Sequence, residues 1–302
     1  MIRFISWRVL LIVFVAVAIV YFVHLGMQMM GQPDGLRPTY DFFDHSRLAW
    51  RQTREFLAEA AQGDFGTIDT RRGEIPVRQI LIDTYPKSMG LIAAALCAAI
   101  VIGLLAGFSA ALSKRISLAF FILTVTILGI SIPSFFAAIL LQLGEKEWVR
   151  HFGYPLVAMG GFGWDYQHML LPVLVLAARP IAYLTRTTFL KLNGIMAEDY
   201  IRTAWAKGWS LRGVLYNHTL RNLAVPVLTA IGVSLRFALG TLPVVEYFFG
   251  WPGMGGGLLS AINAGQTPVV VTLALALGLT FVIVNLLLDL SYRFIDPRLK
   301  EA

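Results

Sequence analysis

Six long apolar segments constrain the fold of this chain more than any other feature. They cover about residues 9–25, 86–112, 118–143, 168–190, 223–247 and 268–292. About 20 apolar residues in a helix span the roughly 30 Å hydrocarbon core of a bilayer. Only 14% of the 302 residues are charged, whereas 57% are hydrophobic. We therefore expect an all-α polytopic membrane protein with six transmembrane helices.

The distribution of Lys and Arg predicts the topology. The first apolar segment follows Arg3 and Arg8 and resembles a signal peptide, but no A-x-A-like site follows and the segment is long, so it is expected to remain as a helix. Short outer loops contain only Lys146 and Arg150. The loops and ends expected in the cytoplasm contain Arg3, Arg8, Lys114, Arg115, Arg186, Lys191, Arg202, Lys207, Arg212, Arg221, Arg293, Arg298 and Lys300. Both termini are thus predicted to be cytoplasmic.

A mixed-charge segment after the first helix is the exception. Residues 27–85 contain Arg as well as many Asp and Glu, and the segment is long enough to be translocated regardless of charge. Leu48, Phe56, Leu57 and Ala60 predict an amphipathic helix over 42–61, and the glycines from Gly63 onward predict a loop after it. The predicted division is a first transmembrane helix (1–26), an extracytoplasmic insertion (27–85), a five-helix core (86–292) and a cytoplasmic tail (293–302).

A polar loop at about 191–222 separates the fourth and fifth spans. Small residues are frequent before Gly208, which stands where a helix would end at a left-handed position. Small side chains allow another surface to approach a helix backbone closely. Arg202, Lys207 and Arg212 add positive charge for docking. These features indicate a loop that a soluble partner binds.

Several motifs in this order resemble one family of permeases. Residues 200–208, YIRTAWAKG, look like the EAA loop of bacterial ABC importer permeases in the dipeptide, oligopeptide and nickel branch, and residues 218–232 look like its continuation. Further similar pieces are GDFG at 63–66, SIPSFF at 131–136, HMLLP at 168–172, WPGMG at 251–255 and VNLLLDLSYRFIDPR at 284–298. Arg202, Thr203 and Ala204 replace the general Glu-Ala-Ala pattern, a departure that is similar to the peptide branch.

The resemblance implies a permease subunit of an ATP-driven importer of peptides or related small solutes. Its loop would form a coupling helix that seats in a separate cytoplasmic ATPase, which binds ATP and Mg. The residues implied to couple are Asp199, Tyr200, Arg202, Thr203, Ala204, Ala206, Lys207 and Gly208. The implied partners are a second, related permease, two ATPase subunits or domains, an extracytoplasmic substrate-binding protein and the lipids of a bacterial inner membrane.

Other classes of function have less support in the sequence. The chain contains no G-x-x-x-x-G-K-[ST] phosphate loop, no HExxH and no CxxC, so a non-catalytic chain without its own cofactor or metal is expected. The formal charge of +7 is explained by topology, without nucleic acid. A secondary transporter or channel has similar hydropathy and remains the alternative, although no inverted repeat is visible.

Two arginines lie inside predicted spans. Arg179 and Arg236 each stand at about mid-depth, where a charged side chain costs roughly 2.5–3.5 kcal/mol on insertion scales. Such residues either line a water-filled path or pair structurally, and both readings are open here. In a path they would favour a solute with a carboxylate. Glu246, at the external end of the fifth span, is a candidate for the outer gate or for contact with a binding protein.

Overall fold

Helices account for most of the structure, a computed structural model that describes residues 2–30, 42–70 and 73–295. A short hairpin of strands β1 (Thr67–Thr70) and β2 (Gly73–Pro76) interrupts them. The helices are α1 (Ile2–Met30), α2 (Phe42–Ala60), α3 (Val77–Leu112), α4 (Ile116–Ser131), α5 (Ser134–Phe152), α6 (Tyr166–Met196), α7 (Asp199–Ala206), α8 (Leu211–Val214), α9 (Leu220–Phe248), α10 (Met254–Asn263) and α11 (Thr267–Ile295), with a π-helical turn at Leu215–Thr219 between α8 and α9.

Six membrane helices were predicted, and the part of the chain that the structure describes contains five to six candidates. Within the described residues, five stretches are long and apolar enough to cross a membrane, and a sixth is reached if the bent pair α4 and α5 is counted as one span. The prediction of a continuous third span over 118–143 is corrected, because the axes of α4 and α5 differ by 107°.

Pro133 explains the break. It has no backbone N–H for a helical hydrogen bond, and it disfavours helical dihedrals at the residue before it. Ile132 accordingly adopts extended dihedrals, with φ −77° and ψ 123°, and α5 starts afresh at Ser134. The sequence motif SIPSFF therefore marks a sharp bend within the span.

The segment after α1 contains the predicted helix as α2. Its buried residues are Ala49, Thr53 and Phe56, whereas Leu48 is exposed, so the prediction that Leu48 lies on the apolar face is corrected. The hairpin β1–β2 follows the predicted loop and was not itself predicted from the sequence. It pairs antiparallel, with Ile68 opposite Ile75.

Two compact units divide the chain. The first comprises Met1–Met89 and Gly250–Leu286, and its core includes Val77, Met254 and Leu273. In that unit the backbone N–H of Met254 donates to the Ser88 hydroxyl at 2.7 Å. The second unit comprises Gly90–Phe249 and Leu287–Ala302, and α6 packs along α9 within it.

Glycines allow α3 to approach α6 closely in the second unit. A Cβ atom built on Gly107 would lie 2.6 Å from the Thr188 Cβ and 2.8 Å from the Thr185 carbonyl oxygen. At Gly103 it would lie 2.7 Å from the Leu184 Cβ. Glycines spaced four residues apart let the backbones of membrane helices touch. Glycine therefore fits at these two positions, whereas any larger residue would clash with α6.

Some sequence predictions fall outside the described residues. They concern the insertion at 31–41 and 71–72 and the tail from 296 onward, which includes Arg298 and Lys300. The division into 1–26, 27–85, 86–292 and 293–302 stays a prediction.

Asp165 forms the N-cap of α6. Its Oδ1 accepts hydrogen bonds from the backbone N–H groups of Gln167 at 2.9 Å and His168 at 3.1 Å, and its Oδ2 lies 2.9 Å from the His168 Nδ1. Desolvation acts to raise the pKa of Asp165, but the hydrogen bonds and the charge interaction with His168, together with the bond from Gln167, leave that pKa below its usual value. The ionised cap is thus favoured in the folded state.

A lowered pKa predicts acid-sensitive stabilisation by this cap. An acid with a folded-state pKa below its unfolded value stabilises the protein above the unfolded pKa, and this contribution is lost as the pH falls through the folded pKa. We expect Asp165→Ala to lower the melting temperature at pH 7 and the difference from wild type to shrink below about pH 4. Asp165→Asn keeps a cap that cannot titrate. A difference between wild type and Asp165→Ala that stayed constant down to pH 3 would contradict the assignment.

Candidate functional sites

The helix α7 occupies the loop between α6 and α9. It ends at Ala206, and two hydrogen bonds close this end around Gly208. The Gly208 N–H donates to the Trp205 carbonyl at 2.9 Å, and the Trp209 N–H donates to the Ala204 carbonyl at 3.2 Å. This is a Schellman arrangement, which requires a left-handed residue after the helix. Gly208 has φ +81°, so its predicted place after the helix is confirmed.

One face of α7 packs onto the protein. Ile201 and Ala204 are buried with Val214, and Met196 covers this cluster. Ala204, expected to approach a partner, is thus only 5% exposed and lies against the chain itself. The small side chain of Ala204 serves internal packing here.

The opposite face of α7 is exposed. It presents Asp199, Arg202, Thr203 and Ala206, and Lys207 and Gly208 follow at its end. Arg202 Nη1 lies 3.1 Å from Asp199 Oδ1, which aligns the guanidinium along the helix surface. The exposed face therefore combines small residues with the guanidinium of Arg202, which Asp199 holds in place.

Aromatic side chains lie on and beside α7, and sequence reasoning assigned a role to Tyr200 alone among them. Tyr200, Trp205 and Trp209 are each 41% exposed, and Tyr216 is 76% exposed. The His218 ring lies 5.2 Å from that of Trp209, and Asn222 Nδ2 donates to the Tyr200 hydroxyl at 2.9 Å. Exposed aromatic rings beside arginine are typical of the residues that dominate binding energy at protein interfaces. The high number of aromatic residues in an otherwise polar loop is the sequence feature that could have indicated this binding surface.

A π-helical turn joins this loop to α9. At Leu215–Thr219, Thr219 is buried, and its hydroxyl donates to the Val214 carbonyl at 3.3 Å. The same hydroxyl lies 3.7 Å from the Met196 sulfur at the end of α6. Single π-turns are rare and frequently occur at functional sites. This turn therefore connects the base of the loop to the end of α6 and the start of α9.

Arg179 lines a cavity of about 120 Å³ at the bend between α4 and α5. Ser134, the first residue of α5, and Thr241 of α9 supply hydroxyl groups to its wall. Gly129 and Ile132, just before the break, complete the side formed by α4. The cavity thus lies within helices expected to cross the membrane, and its wall is mostly apolar, with Ser134, Arg179 and Thr241 as its polar residues.

Arg236 is placed differently. It is absent from the lining of this cavity, and its Nε is buried with no hydrogen-bond partner among the described residues. The neighbouring Phe237 ring meets that of Tyr183 edge-on at 5.7 Å, where α9 packs on α6. The structure therefore places Arg236 outside the cavity that Arg179 lines.

Glu246 is fully buried within the second unit, with 0% of its surface exposed. It takes part in an interaction inside the chain. Its side chain is therefore not on a surface that solvent or a soluble partner touches in this chain.

Hydrogen bonds from the second half of α5 hold the segment that follows it. Glu145 accepts from the backbone N–H groups of Leu156 at 2.7 Å and Val157 at 3.1 Å. Gln142 Nε2 donates to the carbonyls of Met159 at 2.8 Å and Phe248 at 2.9 Å. Sequence reasoning missed this contact network, because nothing local to 142–145 indicates its distant partners.

The helical spans of the structure agree with the family comparison. Residues 99–301 match the model of the family described as binding-protein-dependent transport system inner membrane component. The chain belongs to this family, a multi-pass, non-catalytic permease component of ABC transporters that works with a binding protein and an ATPase. This membership decides against the secondary transporter or channel.

Two relatives illustrate the match. The chain is 30% identical over 273 residues to the dipeptide transport system permease protein DppB of Alkalihalophilus pseudofirmus, covering 83% of this chain and 81% of that protein. It is 33% identical over 258 residues to the glutathione transport system permease protein GsiC of Escherichia coli strain K12, covering 83% and 79%.

Proposed function

We propose that this chain is one half of the translocation path of an ATP-driven importer for peptides or peptide-like solutes. A second homologous permease forms the other half, and an extracytoplasmic binding protein delivers the solute. Two cytoplasmic ATPase subunits or domains bind ATP and Mg²⁺. The relatives that transport dipeptides and glutathione support this substrate class, since both are small solutes with peptide bonds and free carboxylates.

The exposed face of α7 carries the proposal that this loop couples to the ATPase. A helix held on its inner side by Ile201 and Ala204 moves with the membrane helices that support it. Its outer side offers Ala206, Thr203 and Arg202 to a groove, and the exposed rings of Trp205 and Trp209 flank this surface. Closure of an ATPase dimer would then displace α6 and α9 through a rigid, capped connection.

The proposed orientation places α7 and both termini in the cytoplasm and α2 with the β1–β2 hairpin outside. The excess of Lys and Arg in the loops on the α7 side supports it. The segment that contains α2 and the hairpin is long enough to be translocated whatever its charge, so its arginines do not oppose this orientation.

Reconstitution into liposomes tests the proposal. The complete complex is expected to accumulate a labelled peptide only when its binding protein is present outside and ATP is present inside. A cysteine pair joining Lys207→Cys to the ATPase surface is expected to cross-link in the same preparation. Accumulation that continued when hydrolysis was blocked by vanadate would contradict the proposed function, as would an α7 that no ATPase residue approaches.

A further inference from the structure

We propose that the cavity at the bend between α4 and α5 binds the carboxylate of the transported solute, with Arg179 as its cationic group. The inference rests on the proposed function and adds a recognition step inside the permease itself. It assigns different roles to the two intramembrane arginines, because only Arg179 lines the cavity.

The size of the cavity suits a carboxylate. Its volume is about 120 Å³, somewhat less than the roughly 150 Å³ that accommodates benzene in an engineered protein cavity. A carboxylate group with part of its residue fits such a space, whereas a whole peptide does not. The cavity therefore suits one end of a solute whose remainder lies in the path.

The charge of Arg179 is available to a ligand. Within the described part of the chain, its guanidinium has neither a hydrogen bond nor an acidic partner, and the residue is exposed in this single chain. An unpaired charge near the middle of a membrane helix is costly when it faces lipid, so such residues line polar paths or meet a partner charge. A guanidinium binds a carboxylate through two parallel hydrogen bonds.

The break at Pro133 adds donors on the same side. Ser134 begins α5 and lines the cavity, and Pro133 provides no side-chain cap for the free N–H groups of the first turn. These N–H groups carry partial positive charge. Thr241 adds a second hydroxyl, which donates to the Phe237 carbonyl at 2.9 Å and retains its lone pairs for a water that bridges to the ligand. Arg179 of α6 and the first residue of α5 therefore both border the cavity.

An alanine tripeptide and its C-terminal amide provide the test. The complete complex in liposomes is given each peptide in turn with the same binding protein, and initial import rates are measured. We expect Arg179→Gln to reduce import of the free acid about tenfold or more, the effect of losing one charge-assisted hydrogen-bonded pair. Import of the amide is expected to change less than twofold. Because the binding protein is the same throughout, its own preference cancels in the comparison between variants.

Two further variants keep the result interpretable. Arg179→Lys retains the charge and is expected to keep most of the preference for the free acid. Arg186→Gln removes an exposed arginine of the same helix that does not line the cavity, and it is expected to affect neither peptide.

The outcomes separate this inference from the proposed function. If Arg179→Gln lowers import of both peptides equally, Arg179 pairs with an acidic group of the second permease and the inference is overturned. If it changes neither rate, the inference is also overturned while ATP-driven import stands. If the wild-type complex imports neither peptide with ATP, the proposed substrate class falls and this inference falls with it.

Discussion

Ala206→Trp is expected to abolish coupling between the ATPase and transport while leaving the permease folded. Ala206 lies in the last turn of α7 on its exposed face, with Thr203 and Arg202. A large ring at this point prevents the helix backbone from approaching a groove. A steric penalty of about 1.4 kcal/mol already weakens docking tenfold. Import should therefore fall at least about tenfold.

The folded state should tolerate this change. Ala206 has no part in the buried cluster of Ile201, Ala204 and Val214. The lower helix propensity of tryptophan costs at most about 0.7 kcal/mol. The melting temperature of the purified permease and its amount in the membrane should thus remain near wild type.

Matched variants distinguish docking from an unspecific effect of substitution. Ala206→Ser keeps a small side chain and should transport at nearly the wild-type rate. Import is measured together with the ATPase activity that the binding protein stimulates, since uncoupling should remove the stimulation and retain basal hydrolysis. An Ala206→Trp complex that assembled and transported normally would show that this face of α7 is not the docking surface.

Gly107→Val is expected to prevent α3 from packing on α6 and to lose most of the folded permease. The new Cβ would lie 2.6 Å from the Thr188 Cβ and 2.8 Å from a backbone oxygen, the carbonyl of Thr185. Neither neighbour can move aside as a flexible side-chain end does. Overpacking of a core costs about 1–3 kcal/mol, and a backbone clash lies at or above the upper end of that range.

Gly240→Val provides the control for this prediction. Gly240 also lies in a predicted membrane helix, but a Cβ atom there would meet nothing within 4 Å. Thermal unfolding in detergent and the yield from the membrane are measured for both variants. We expect a loss of several degrees or more for Gly107→Val and a small change for Gly240→Val. Equal stability of the two variants would exclude a close α3–α6 contact.

Local patterns predicted the helices well because membrane helices satisfy their backbone hydrogen bonds within one segment. The apolar runs indicated α1, α3, α6, α9 and α11. The end of α7 was likewise readable, since the left-handed position of Gly208 depends on the lack of a Cβ atom at that residue.

Features that depend on distant partners were not predictable in this way. Pro133 marked a position where a helix can break, but proline in a membrane helix is often only a kink. The structure shows a 107° bend at this position, and the cavity that Arg179 lines lies beside it. The exposure of Leu48 and the burial of Ala204 were not predicted for the same reason, since periodicity shows that a face is apolar or small and does not show what covers it.

By itself, the sequence determined the membrane class of this protein, the positions of most of its helices and the loop that distinguishes its family, because these depend on segment length, hydropathy and residue type. Only the tertiary structure decided that Arg179 and Arg236 occupy different environments, that Glu246 is buried and that α7 presents Ala206 outward. Burial and cavities arise from contacts between residues far apart in the chain, and no local pattern contains them.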